Sequence, residues 1–320
     1  MKLNKIILAG GSGYMGTVIA EYFREKANDI VILSRQVLPS HHNVRYVQWD
    51  ARSRNGNLSA ETIASGSKAD WTKEIDGADL LVNLTGKSVN CRYTEANRKE
   101  IFRSRLESTE ILGKVIGESP HPPELWINMA SATIYRHAED RAMDETTGEI
   151  GEGFSIEVCK AWEKTFFDCR TPSTRKVCLR VGIVMGRNDG AYPLMRNMAK
   201  VGLGGKQGNG KQQFTWVHEL DMARIVEWIA ENKKANGVYN CTSPGPIPNK
   251  EVMRLIRKTL RVPIGLPSPA WLLKMGAVVI GTETELILKS RWVIPKRLTD
   301  EGFKFQFPEM ENALRQIENK

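Results

Sequence analysis

The chain has few features that would cross-link or anchor it. Its 320 residues include only five cysteines, Cys91, Cys159, Cys169, Cys178 and Cys241, with no Cys-x-x-Cys pair and no Cys/His ligand spacing. This argues against a disulfide framework or a zinc site and leaves reduced thiols as the simplest reading. No uninterrupted apolar run approaches the ~20 residues that span a bilayer, and the N-terminus enters a strand without the charged, apolar and small-residue regions of a leader. The expected location is therefore cytoplasmic, with no membrane partner. A basic tract is also missing: the net charge is +9, but its 46 Lys and Arg are dispersed. No nucleic acid is expected, and what remains is a modest bias toward anions. With 41% hydrophobic and 26% charged residues, nothing suggests disorder, and the length suffices for one large core or two smaller ones.

The most informative feature present is a set of glycines. Gly10, Gly13 and Gly16 follow the apolar run Lys5-Ile6-Ile7-Leu8-Ala9 and open the helical stretch Tyr14 to Phe23. Strand, tight turn and helix start together make a pyrophosphate cradle, in which free N–H groups of Gly13, Tyr14, Met15 and Gly16 face an anion. Apolar runs then alternate with helical patterns: Asp29 to Leu33, Val44 to Val47, Asp79 to Leu84, Leu125 to Met129 and Val177 to Val181 are strands, while Glu95 to Ser119 and Gly153 to Cys169 are helices. The alternation predicts an α/β fold, a Rossmann-type doubly wound parallel sheet with a smaller C-terminal lobe. Residues 1–185 form the nucleotide-binding domain, with 214–242 returning to it, and residues 186–213 and 243–320 form the smaller substrate lobe. Trp271 to Ile280 is apolar but too short to span a membrane, so it is assigned to that lobe's core.

The order of motifs resembles the extended short-chain dehydrogenase/reductase superfamily, and more narrowly its epimerase-like atypical branch with a distinctive C-terminal extension. The resemblance rests on Gly10-Gly11-Ser12-Gly13-Tyr14-Met15-Gly16, Asn83-Leu84-Thr85-Gly86, Ser104-Arg105, Ser131-Ala132-Thr133-Ile134-Tyr135, Ala161-Trp162-Glu163, Leu179 to Gly186 and Trp216-Val217-His218. Pro295-Lys296-Arg297-Leu298 and the run Glu301 to Pro308 resemble the extension's own signature.

Where NAD enzymes place an acidic residue after the second strand, this chain has Ser34-Arg35. A hydroxyl and a guanidinium suit a 2′-phosphate, so NADP(H) is expected over NAD(H). Asp50 resembles the adenine-contacting position, with an N-cap or turn as its alternative role. Leu84, Thr85 and Gly86 are expected beside the ribose and nicotinamide.

Catalysis departs from the superfamily pattern of a Ser or Thr plus a Tyr four residues before a Lys. Ser131 matches the first position and Lys160 the last, with Lys160 also expected on the nicotinamide ribose. Four residues before Lys160 stands Ile156, which cannot titrate, 25 residues after Ser131. Tyr135 and His218 are the candidate replacements, against packing for Tyr135 and loop-fixing for His218. Asp144-Glu145 either binds substrate or caps a helix. Lys87, Asn90, Arg92, Lys211 and Gln212 are candidate donors to a small, anionic substrate, with solvated loops as their alternative. Arg105 either joins that cluster or braces helix and loop through salt bridges. No metal is called for, and a homo-oligomer is left open. Three functions fit: an NADP(H)-dependent oxidoreductase or epimerase-like enzyme with a degenerate site, a non-catalytic NADPH-binding regulatory or sensor protein, and a nucleotide-sugar epimerase or dehydratase.

Overall fold

The computed structural model describes residues 2–52, 70–273, 275, 283 and 285–319. Its centre is a seven-stranded sheet in the order β3-β2-β1-β4-β5-β6-β10, with β1 Leu3–Ala9, β2 Ala27–Ser34, β3 Val44–Gln48, β4 Leu80–Asn83, β5 Leu125–Ser131, β6 Arg175–Val181 and β10 Gly237–Cys241; the short strands β7 Ile183–Met185, β8 Gln213–Phe214 and β9 Trp216–His218 and the short helix α2 Trp71–Ile75 lie outside it. All pairings in it are parallel. Every carboxyl end therefore lies along one edge, and chain order reverses between β1 and β4, which is where doubly wound sheets open a crevice.

Helices cover both faces because successive strand side chains point to opposite sides. Ile6 and Leu8 share a core with Ile19 and Phe23 of α1 (Tyr14–Phe23) and with Met222, Val226 and Ile229 of α6 (Glu219–Glu231). Ile7 and Ala9 face Leu112 and Val115 of α3 (Glu95–Glu118) and Trp162 and Phe166 of α4 (Phe154–Asp168). Each large aliphatic side chain so buried contributes roughly 1.5–3 kcal/mol. The near-continuous apolar strands in the sequence are this two-sided burial.

A separate cluster joins Met195 and Ala199 of α5 (Tyr192–Lys200), Val252 and Ile256 of α7 (Asn249–Leu260) and Leu314 and Ile317 of α10 (Met310–Asn319). Between α7 and α10 lie the short helices α8 (Glu285–Leu288) and α9 (Lys296–Asp300). The C-terminal segment is bound back onto the sheet domain. Arg297 lies 3.8 Å over the Tyr239 ring and donates to the Val238 carbonyl at 2.8 Å, while the Asp221 carboxylate accepts the N–H groups of Gln306 and Phe307 at 2.9 and 2.8 Å.

One assignment is corrected. In the run Trp271 to Ile280, Leu273 is buried, but Trp271, Leu272 and Met275 are 63%, 41% and 60% exposed, so this part of the run does not fill a core. Residues 274 and 276–280 lie outside the described residues. No helix among the described residues is long and apolar enough to cross a membrane.

Candidate functional site

The glycines after β1 have different jobs. Gly10 adopts a left-handed φ of 74°, and a Cβ there would lie 2.8 Å from Thr85 Cγ2. A Cβ on Gly16 would collide with the Gly11 carbonyl, so this residue lets α1 pack against the turn. Gly13 is different: a Cβ on it would meet nothing within 4 Å. It is the N-cap of α1, with no side-chain cap and no acidic residue in the first turn. The backbone donors at this helix start are thus presented to open space with the favourable end of the helix dipole, which fits a pyrophosphate. The side chains of Tyr14 and Met15 are engaged elsewhere: the Tyr14 hydroxyl donates to Glu219 at 2.6 Å and Met15 packs against the core. Burial, and then Glu219, push the Tyr14 phenol well above its ordinary range.

Beside the cradle, the buried Ser34 hydroxyl donates to Ser12 at 3.0 Å and accepts the Gln36 N–H at 3.2 Å. Ser34 thereby ties β2 to the glycine loop, with its hydroxyl hydrogen engaged by Ser12. Arg35 is exposed and makes no hydrogen bond or ion pair with the described residues, so its guanidinium is at the disposal of a phosphate. The Asp50 carboxylate accepts the Arg52 N–H at 2.9 Å, a turn role.

At the end of β4, Leu84 joins the core and its N–H reaches the Ala9 carbonyl at 2.8 Å. Thr85 is buried in a polar network: its hydroxyl bonds Asn83 and Ser108, each at 2.5 Å, and Asn83 donates to Asn128 at 2.9 Å. This network fixes the carboxyl ends of β4 and β5 and engages the Thr85 hydroxyl within the chain. Arg105 lies across Gly86, with Cζ 3.0 Å from where a Cβ would stand. It stacks 5.1 Å from the Trp162 ring and donates through Nη1 to the carbonyls of Lys87 and Ile101 at 3.0 and 3.1 Å. The bracing is thus to carbonyls and not through salt bridges. Burial pulls the Arg105 guanidinium below its usual range.

Ser131 ends β5 and caps the following turn, accepting the Thr133 N–H at 3.2 Å. Lys160 is exposed, donates to Glu157 at 3.0 Å and borders a surface depression with Glu152, Lys164 and Phe167. Ile156 is buried among Tyr135, Met143 and Val293. Cys159 is buried in the same cluster, and Ser155 is buried at the start of the helix. The Tyr93 hydroxyl, from the loop after β4, meets Ser155 at 3.2 Å, and Cys159 lies within the electrostatic reach of Arg105. Burial pushes the Cys159 thiol up to about 12.

Tyr135 and His218 are fully engaged in the fold. Tyr135 donates to Asn240 at 3.0 Å, accepts from Arg180 at 2.8 Å and is 1% exposed. His218, 0% exposed, accepts the Leu220 N–H at Nδ1, pairs Nε2 with Gln316 at 2.9 Å and lies against Phe307. Neither has a face open to substrate. Asp144 accepts the Thr146 N–H at 2.7 Å, and Glu145 accepts that of Asn240 at 2.8 Å; both shape the loop. Gln212 is buried and donates to Gln207 and Ile287 carbonyls at 2.9 and 3.5 Å, and is removed from the substrate donors. Lys211 is on an exposed turn. Asn90 is exposed with its N–H on Ser88, Lys87 donates its N–H to Ser104, and Arg92 pairs with Glu283 at 3.3 Å. Two cleft residues were missed because they lie in the C-terminal segment. Glu285 is 3.5 Å from Ser155 Oγ, and Lys289, with a side chain 9% exposed, donates to the Thr133 carbonyl at 3.3 Å.

Comparison with known proteins places these features in context. The family model described as NAD dependent epimerase/dehydratase family matches residues 6–242, and a domain of unknown function, DUF1731, matches residues 268–317. The chain is 28% identical to the epimerase family protein SDR39U1 of Mus musculus over 98% of this chain and 99% of the relative. It is also 28% identical to the epimerase family protein YfhF of Bacillus subtilis, over 98% and 97%. Among solved structures, human SDR39U1 isoform 2 with NADPH superposes with a TM-score of 0.82 at 28% identity, covering 99% of each chain. A UDP-N-acetylglucosamine 4-epimerase from Methanobrevibacter ruminantium superposes at 0.75 with 16% identity over 99% of this chain and 97% of the epimerase, a likeness of fold alone.

Proposed function

The chain belongs to the NAD-dependent epimerase/dehydratase family, and on that premise we propose that it is an NADP(H)-dependent oxidoreductase acting on a small carbonyl or alcohol substrate. The observation that carries this reading is the open cradle at Gly13, together with the exposed Arg35 after β2, which makes no ion pair with the described residues. In this reading the backbone donors at the start of α1 hold the pyrophosphate, Arg35 neutralises the 2′-phosphate, and Gly86 and Thr85 border the nicotinamide ribose. The cofactor supplies the hydride. The chain's own residues orient the substrate and exclude water, with Ser131 at the reacting end of β5. The NADPH complex of the similar human protein supports the choice of cofactor class. Titration of nicotinamide fluorescence with NADPH and with NADH tests it, and equal affinities would sink the preference.

A second reading, a non-catalytic NADPH-binding regulatory or sensor protein, is favoured by one observation. Four residues before Lys160, where the superfamily carries a Tyr, α4 carries Ile156, buried in the core. It cannot titrate, and burial pushes the thiol of the neighbouring Cys159 up to about 12. Transfer of deuterium from 4-deuterated NADPH to carbonyl compounds separates the two readings. Nucleotide-sugar epimerisation is disfavoured by the same substitution.

A further inference from the structure

Exposed large apolar side chains concentrate in the smaller lobe. Its segments 201–208 and 264–268 run side by side: the Leu266 N–H donates to the Gly202 carbonyl at 2.8 Å, the Gly205 N–H to the Leu266 carbonyl at 3.0 Å and the Ser268 N–H to the Lys206 carbonyl at 2.9 Å. On this ribbon Val201, Leu203, Ile264 and Leu266 are 72%, 41%, 63% and 57% exposed. Trp271, three residues beyond Ser268, is as exposed as Ile264. Arg257 of α7 donates to the Gly204 carbonyl and lies against Gly265. The ribbon is thus fixed to the helix behind it while its apolar side chains stay in water, the signature of an interaction surface.

The charge of this surface has one sign. Residues 190–218 contain four Lys and Arg and residues 252–282 contain five, with no Asp or Glu in either stretch. Lys200 ends α5 next to Val201, and Arg261 caps the C-terminus of α7. Lys206 lies on the ribbon itself, and a Cβ on Gly210 would stand 2.9 Å from Lys206 Cβ and 3.1 Å from Lys250 Cβ, so these two lysines rise from neighbouring points. All four cations are exposed, and none makes a side-chain hydrogen bond or ion pair with the described residues. The carboxylates on the helices behind are committed elsewhere: Glu251 pairs with Arg254, Glu311 with Lys258 and Glu318 with Arg196.

We propose that the ribbon and Trp271 form a docking surface for a bilayer that contains anionic lipid, which the protein touches without crossing. The lack of a spanning run excludes a membrane helix and leaves surface contact open. Charge selects the occupant. A second copy docked on the same face would set these cations against one another. Three of the four are lysines, flexible point charges that suit a fluid layer of headgroup phosphates, whereas the fixed carboxylates of a protein partner favour the planar fork of Arg. The aliphatic side chains enter the boundary with the acyl chains, and the Trp271 indole suits headgroup depth. This surface is independent of the cofactor reading.

The test is co-sedimentation of the full-length protein with two sets of vesicles, one of phosphatidylcholine and one with about a third of it replaced by phosphatidylglycerol. Binding to the anionic set alone is expected, weakening as salt is raised. The double variant Ile264→Ser, Leu266→Ser and the single variant Lys206→Glu should each lose about tenfold or more in affinity and melt near wild type, because the side chains removed are exposed. If the double variant does not fold, Trp271→Ser reads the same apolar loss. Lys164→Glu makes the same change in net charge on α4 and should bind within about twofold of wild type. Failure of wild type to bind anionic vesicles would overturn the proposal. So would unchanged binding by the apolar variants, or equal losses in Lys206→Glu and Lys164→Glu, since either leaves adsorption by net charge alone. A lipid-free dimer that the double variant dissociates would overturn it too, and would give the face to a second copy.

Discussion

The Tyr93 hydroxyl meets the Ser155 hydroxyl at 3.2 Å, joining the loop after β4 to the first turn of α4. Ile156 is rotated into the core, so Ile156→Tyr should not deliver a phenol to the site but overpack the cluster around Met143 and Val293. The expected cost is about 1–3 kcal/mol of stability, read by chemical denaturation. NADPH affinity equal to wild type would accompany it; a cleft-facing phenol whose absorbance titrates on NADPH addition would refute the assignment of the face.

The two ends of the glycine turn should separate in experiment. Gly13→Val places its side chain in open space, so the protein should melt near wild type yet lose NADPH binding. Gly16→Ala drives a methyl into the Gly11 carbonyl and should lower stability by about 1–3 kcal/mol. Circular dichroism melts beside fluorescence titrations decide both, and normal NADPH binding by Gly13→Val would remove the cradle.

Arg35→Glu should abolish the preference for NADPH. Loss of a charge-assisted contact and gain of repulsion together amount to about 2–3 kcal/mol, or roughly 30- to 150-fold in affinity. NADH binding should hardly change. Equal weakening of both cofactors would point to damage of the loop.

Cys159 should be inert to alkylation. With its thiol pushed up to about 12 by burial, the thiolate fraction at pH 8 is on the order of one in ten thousand. Mass spectrometry after iodoacetamide at pH 8 should find the part-exposed Cys91 modified and Cys159 intact. Rapid labelling of Cys159 in the native protein would contradict the burial.

Glu163 and Arg180 form a nearly enclosed ion pair at 2.7 Å. Removing one partner leaves the other charge buried, so Glu163→Ala should cost about 3–5 kcal/mol, whereas Tyr135→Phe, which removes one hydroxyl between Asn240 and Arg180, should cost about 1–3 kcal/mol. Both are read from urea midpoints. NADPH affinity unchanged in Tyr135→Phe is expected from its place in the core, and a large loss would return it to the site.

The sheet was legible because its strands are buried on both faces. Runs such as Asp29 to Leu33 and Val177 to Val181 fall inside β2 and β6, and Tyr14 to Phe23 coincides with α1. The open turn at Gly13 was legible too, since strand, glycines and helix are contiguous. The far side of the cleft was not. Spacing counts residues, not surroundings: the burial of Ile156 and the exposure of Lys160 beside Glu157 are set by tertiary packing. Polar residues misled for another reason: Thr85, Gln212 and His218 spend their hydrogen bonds inside the protein, which pattern alone does not distinguish from presenting them to a ligand. Lys289 enters the cleft from more than 150 residues beyond Ser131, a contact made by tertiary folding.

The position of β10 has a consequence for synthesis. This strand closes the sheet against β6, as Gly237 pairs with Val177 and Cys241 with Val181, yet 55 residues separate the end of β6 from the start of β10. At ribosomal rates of about 5–20 residues per second, the outer backbone of β6 waits roughly 3–11 s for its partner. An unpaired edge of that kind is where neighbouring nascent chains can join strand to strand. Quality control during translation therefore has a defined interval at this edge, and substitutions that delay β10 would reveal themselves first as aggregation of newly made chains.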